Sequence, residues 1–144
     1  MIKYSLINKV TAPTRAHSTD AGLDFYLPEE HNYLQLKPFS DALIPTGVIL
    51  QLPKKHVGVF LNKSSVATRH KLVIGAQVID EGYIGEIHVH LINTDNRYIT
   101  LSPGMKIAQL LIMPIIKPKI VEVDKEYFEN LKTERGQNGF GSTG

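Results

Sequence analysis

Gln77-Val78-Ile79-Asp80-Glu81-Gly82-Tyr83-Ile84-Gly85-Glu86-Ile87-His88-Val89-His90-Leu91-Ile92-Asn93 sets two apolar, β-branched arms around an Asp-Glu-Gly turn. Residues that fit a pleated surface, interrupted by the turn formers Asp and Gly, read as a β-hairpin. In the second arm, Ile87, Val89 and Leu91 alternate with His88, His90 and Ile92, the period of a strand with one buried face. Similar short runs recur outward from it between Pro, Gly, Asn and Asp: Ile2 to Ile7, Thr46 to Leu52, His56 to Leu61, Lys106 to Met113 and Lys119 to Val123. Only Asp124 to Lys132 has helical spacing, with Asp124 placed as N-cap and Tyr127, Phe128 and Leu131 on one side. The fold class predicted is all-β, a sandwich or barrel with one short helix, and the eight prolines are expected at strand ends.

With 144 residues the chain has the size of one domain, large enough for a core without metal or disulfide support. It has no cysteine, which removes thiol chemistry and disulfide frameworks. Sixteen Lys+Arg against fourteen Asp+Glu leave a formal charge of +2. That balance lacks the dense basic stripe of a sequence-independent nucleic-acid binder, so the anion expected is small. No run approaches the ~20 apolar residues of a membrane span, and no secretory leader is visible, which predicts a soluble, cytoplasmic protein. Ile107 to Ile116 is apolar on both faces of an extended strand. One face belongs to the core, and either ordinary burial or a partner subunit covers the other.

Five stretches carry chemistry. Asp80 stands at the shoulder of the turn, where a carboxylate can orient and deprotonate a water, and Tyr83 can lie against a sugar ring. Taken alone, an acidic turn residue and a packed tyrosine is the commoner explanation. Ala21-Gly22-Leu23-Asp24-Phe25-Tyr26 is a second acidic site. Asn62-Lys63-Ser64-Ser65-Val66-Ala67, a loop of small polar residues with a cation, and Gly104-Met105-Lys106-Ile107-Ala108-Gln109-Leu110 both suit phosphate. The segment Arg135-Gly136-Gln137-Asn138-Gly139-Phe140-Gly141-Ser142-Thr143-Gly144 combines glycines, a guanidinium fork, an aromatic face and two hydroxyls. It can clamp phosphate and a flat ring, although its composition alone fits a flexible Gly/Ser tail better. Residues 1–134 are expected to form the β domain and 135–144 a flexible arm.

In this order the segments Ala-Gly-Leu-Asp, Lys-Ser-Ser-Val-Ala, Gly-Ala-Gln-Val-Ile-Asp-Glu-Gly-Tyr-Ile-Gly, Gly-Met-Lys-Ile-Ala-Gln-Leu and Arg-Gly-x-x-Gly-Phe-Gly-Ser-Thr-Gly resemble the five ordered motifs of the trimeric deoxyuridine triphosphatases, from about residue 10 to 144. The resemblance implies a jelly-roll-like homotrimer with shared active sites that cleaves dUTP between the α and β phosphorus to dUMP and pyrophosphate. By motif, Asp80 is the base for the attacking water and Tyr83 faces the deoxyribose. The backbone from Gly75 through Gln77, Val78 and Ile79 to Tyr83 reads the uracil edge. Lys63, Ser64, Ser65, Lys106 and Gln109 bind phosphates. Arg135, Ser142 and Thr143 hold the outer phosphate, with Gly141 beside them, and Phe140 stacks on uracil as the arm closes. Mg²⁺ rides on the triphosphate, with Asp24 one water shell away.

The chain departs from the family pattern at several positions. Lys63 and Lys106 stand where arginine is usual, Ser65 where glycine is usual, and Gly82 and Ile84 where an aspartate and an arginine flank the tyrosine, which removes any ion pair bracing that turn there. Two other readings remain open on sequence. The dCTP deaminase branch shares the fold, but its catalytic glutamate aligns with His90. A dUTP-sensing regulatory protein on the same fold is compatible with the motifs. His88 and His90 share a strand face without a third metal ligand at a fitting spacing.

Overall fold

Strand β8 (Glu86–Asn93) shows how the alternating pattern becomes a core: Ile87, Val89, Leu91 and Asn93 are buried while His88 is exposed. It lies between β4 (Asp41–Gln51) and β6 (Leu72–Ile74), and β1 (Lys3–Leu6) completes the antiparallel sheet in the order β1-β4-β8-β6. A second antiparallel sheet runs β2 (Leu23–Tyr26), β10 (Lys106–Pro114), β5 (His56–Leu61) and β7 (Val78–Ile79), and β3 (Leu34–Leu36) pairs with β9 (Ile99–Leu101). The computed structural model describes residues 1–30 and 32–138. Among the described residues, twenty buried apolar residues from the three sheets and the segments between them form one cluster, with Phe25 and Phe60 edge to face at 5.0 Å. Two antiparallel sheets closing on one apolar interior give the jelly-roll-like all-β class.

Several expectations are corrected. The arms of the opening stretch do not pair with each other. Val78 and Ile79 pair with Val59 and Gly58 of β5, while the second arm pairs with β4 and β6. The intervening turn, closed by a 3.0 Å bond from Tyr83 N–H to Asp80 C=O, carries the chain from one sheet to the other. Ile79 of the first arm and Ile87, Val89 and Leu91 of the second face the core while Val78 is exposed, and apolarity does not name a strand's partner. A second helix, α1 (Ser64–His70), occupies the stretch read as a phosphate loop. Val66 is its one buried residue, too little for a helical period to be visible. Arg69 and His70 in its last turn suit the negative end of the helix. Helix α2 is shorter than its sequence suggests (Lys125–Glu129); Asp124 is its N-cap by position, without a side-chain capping bond.

Pro45 lies inside β4, not at an end, at the point where the register with β8 breaks between Pro45 and Ile49. Gly47 turns there with φ 69°, its N–H donating to Glu86 Oε1 at 2.7 Å. The buried Thr46 hydroxyl donates to Ile87 C=O at 2.7 Å, so the bulge is pinned on both sides. Lys119 to Val123 forms no strand and is exposed, with Ile120 fully so. In β10, Ile107, Ala108 and Leu110 are buried, whereas Leu111 is half-buried and Met113 is 40% exposed. This chain therefore covers one face of β10 and leaves the other, beside the exposed Leu61, only partly covered.

Candidate active site

The two motif carboxylates sit in opposite environments. Asp24, on β2, is buried, and each oxygen is taken: Lys63 Nζ lies 2.7 Å from Oδ1 and Lys106 Nζ 2.7 Å from Oδ2. Burial opposes its ionisation, but the hydrogen bonds from Lys106 and Lys63 outweigh that and hold its pKa below the ordinary value. The same bond to Asp24 raises Lys106, which also stands 5.9 Å above the Tyr26 ring. Asp24 is thus a fixed anion that sets two cations in place. Asp80 is exposed, at the end of β7, in the wall of a cleft of about 230 Å³ with Ala76, Val78, Ile79, Tyr83 and His88. An exposed carboxylate at a cleft can take a proton; a doubly paired one cannot do so cheaply.

The turn that carries Asp80 is braced by a residue the motif reading did not single out. Glu81 accepts the backbone N–H of Lys55 and pairs with Lys117 at 3.1 Å, and these bonds, that of Lys117 foremost, lower its pKa. An ion pair therefore serves this turn although Gly82 and Ile84 supply none; Ile84 is 75% exposed. The Tyr83 hydroxyl donates to Glu86 C=O at 2.7 Å, and the ring lies so close over Gly85 that a Cβ there would collide with it. Tyr83 is consequently held as a fixed wall. Strand β7 is an edge of its sheet, so the backbone groups of Val78 and Ile79 that do not pair with β5 remain available to a ligand.

A second cleft, of about 350 Å³, is lined by Asp24, Lys63, Gln109, Gly22, Leu61 and Leu111. Gln109 reaches from β10 to donate to Asn62 C=O at 2.9 Å, and Asn62 Oδ1 accepts Ile74 N–H at 2.7 Å, which ties the loop before α1 to both sheets. Gly22 is required by space: a Cβ there would press on the Gln109 side chain. Ser64 and Ser65 are exposed on the first turn of α1, next to Lys63. Asp80 and Tyr83 are not in this cleft, so the sequence-predicted residues divide into two sets. Gly75 and Gln77 lead into the first set; their N–H and C=O groups respectively bond His90 C=O and Phe60 N–H. Arg135 is exposed, its Nε donating to Asn138 C=O at 3.0 Å. Phe140, Gly141, Ser142 and Thr143 lie outside the described residues. Among the described residues no group of three or more His, Asp or Glu could hold a metal ion, and no helix is long and apolar enough to cross a membrane.

A held tyrosine and an exposed carboxylate in one cleft, with Lys63 in a second, set an acidic group apart from a cation on a β-sandwich. Comparison with known proteins gives the family: the family model described as dUTPase matches residues 8–144, and the chain belongs to the dUTPase family. The deoxyuridine 5'-triphosphate nucleotidohydrolase of Clostridium novyi is 41% identical over 94% of this chain and 92% of its own length; that of Clostridium kluyveri is 43% identical over 96% and 94%. Among solved structures, a Staphylococcus bacteriophage 80alpha dUTPase variant with dUpNHpp superposes with TM-score 0.87 at 28% identity, covering 100% of this chain and 98% of that one. A dUTPase variant from phage phi11 of S. aureus, described with a structural Mg(II) ion, superposes with TM-score 0.77 at 26% identity over 87% of this chain and 97% of its own. The chain is accordingly a dUTP diphosphatase, converting dUTP to dUMP and pyrophosphate.

Proposed function

We propose that hydrolysis is run by Asp80 as general base in a site assembled from more than one copy of this chain. The observation that carries this is the separation of the two clefts: Asp80 and Tyr83 line one, Lys63 and Gln109 the other. A cleft of about 230 Å³ is also below the roughly 300–1,000 Å³ of complete small-molecule sites. A homotrimer that sets the Lys63–Gln109 cleft of one subunit against the Asp80 cleft of its neighbour would complete the pocket. The half-covered face of β10 and the exposed apolar residues Ile116 and Ile120 support such an assembly. Asp80 takes a proton from water as the oxygen bonds to the α phosphorus, the bond to the bridging oxygen breaks, and pyrophosphate leaves. Tyr83 rejects a ribose hydroxyl by contact, and the free backbone groups of β7 pair with the uracil edge. Lys63, Lys106, Ser64, Ser65 and Gln109 receive phosphates. The arm from 135 to 144, with Arg135, Phe140, Gly141, Ser142 and Thr143, closes over them by its motif.

The donor set fits a Mg²⁺ carried by the triphosphate and not a protein cage, since both oxygens of Asp24 are engaged by lysines. Bound there, the ion would neutralise charge on the phosphate oxygens, with Asp24 reaching it only through water. The reading is tested by pyrophosphate release from dUTP, dTTP, dCTP and UTP, with ammonia release from dCTP measured alongside. Turnover should be confined to dUTP; ammonia release, or dUTP binding without turnover, would overturn it.

A further inference from the structure

We infer that His90 is a positioning residue for the base-reading segment: its neutral ring, protonated at Nε2, holds the Gly75–Ala76 backbone in the shape of the cleft wall, and protonation of Nδ1 releases it. The inference rests on the proposal that the backbone from Gly75 to Tyr83 reads uracil. Three contacts converge on this one residue. Its carbonyl accepts Gly75 N–H at 3.0 Å, its Nδ1 accepts Ala76 N–H at 3.1 Å, and its Nε2 lies 3.0 Å from Asp41 Oδ2. A backbone N–H can only donate to a bare ring nitrogen, so Nδ1 carries no proton and the Nε2 proton points at Asp41. The ring lies close against the segment, leaving no room for a Cβ at Gly75. Ala76, whose amide is held, lines the Asp80 cleft with Val78 and Ile79.

The surroundings make this bond responsive to charge. Asp41 faces the ring from β4; β6 (Leu72–Ile74) brings no charged group; His88 and Glu86 lie on the same strand, and Asp80 follows the segment. When a proton binds Nδ1 the acceptor becomes a donor and two N–H groups meet head on, so the segment must shift. The lysine cleft does not contact His90 and should be unaffected.

The test is built on the intact protein. His90→Leu should weaken dUMP binding and raise KM for dUTP by about 10-fold, the upper end of the net worth of one hydrogen bond. Its kcat and its inhibition by inorganic pyrophosphate should stay within about 3-fold of wild type. His90→Asn places Oδ1 where Nδ1 stands and should restore KM to within about 3-fold. Acidification that places a proton on Nδ1, followed by the ring ¹⁵N shifts, should raise KM in the wild type and leave the Asn variant level. The ring ¹⁵N shifts of His90 in the wild type should show a bare Nδ1 and a protonated Nε2 at the alkaline end, a reading that needs no variant to fold. A proton on Nδ1 there, or a Leu variant that binds dUMP as the wild type does, overturns the inference. Absence of dUTP turnover in the wild type would instead defeat the functional reading, which the ring shifts do not depend on.

Discussion

Replacing Asp24 with asparagine keeps its shape and removes its charge, leaving Lys63 and Lys106 facing each other over a neutral amide. Each ammonium now lies 2.7 Å from one carboxylate oxygen. That puts the two roughly 6 Å apart, where like charges repel by about 3 kcal/mol at an effective dielectric of about 20. Their side chains are 26% and 35% exposed, so partial escape into solvent should reduce the net loss to about 1–3 kcal/mol, or roughly 3–10 °C in Tm. Because the native pKa of Asp24 is held below the usual 3.8, the unfolded chain takes up the proton first as pH falls. This contribution is therefore intact above about pH 4 and lost as pH drops through the native value. Urea unfolding of wild type and Asp24→Asn at fixed protein concentration should show the full gap at neutral pH and a narrower one at acid pH. Adding Lys106→Met to Asp24→Asn should recover part of the loss, since one unbalanced charge disappears. Equal stability of the two proteins at neutral pH, or a gap unchanged by acid, would refute the argument.

Asp80→Asn should retain dUTP binding in calorimetry and lose about 10²–10⁴-fold in turnover; wild-type-like turnover would remove Asp80 from the base role. Deleting residues 135 to 144 should leave the thermal transition and assembly state in place and depress kcat/KM, whereas an unfolded product would make the arm structural. Mixed by co-refolding in equal amounts, those two inactive chains should regain about a quarter of wild-type sites if base and arm come from different subunits. No activity in a verified mixed trimer would place both on one chain. Gly85→Ala should dislodge Tyr83 from its bond to Glu86 and loosen discrimination between dUTP and UTP, measured as the ratio of kcat/KM values.

Much of the fold was legible because buried strands announce themselves by pattern. The ranges His56 to Leu61 and Glu86 to Asn93 coincide with β5 and β8. What the pattern withheld was pairing. Ile79 is as apolar as Ile87 and Val89, yet it belongs to a different sheet, because apolarity marks a residue that fills the interior and not the strand it pairs with. Short elements such as β7 and α1 carry one or two core residues and no period. At the site, Asp80, Tyr83 and the phosphate-directed residues were visible as motifs. Glu81 was not given a role, since nothing local shows that Lys55 and Lys117 converge on it. The exposed Ile116 and Ile120 mark where a single chain stops explaining its own sequence.

The turn that carries Asp80 leaves one sheet and enters the other. Stacked sheets stand about 10 Å apart, so the span between Ile79 and Glu86 is moored at both ends to strands whose side chains fill the interior. Such a segment cannot swing out as a unit, as a surface loop can; it comes free only when a sheet edge peels or the interior opens. The Tyr83 amide, bonded to Asp80 C=O, should therefore exchange more slowly than the unpaired amides of the same exposed turn. The Asp80 carboxylate keeps its place because the interior is folded, without a ligand to order it.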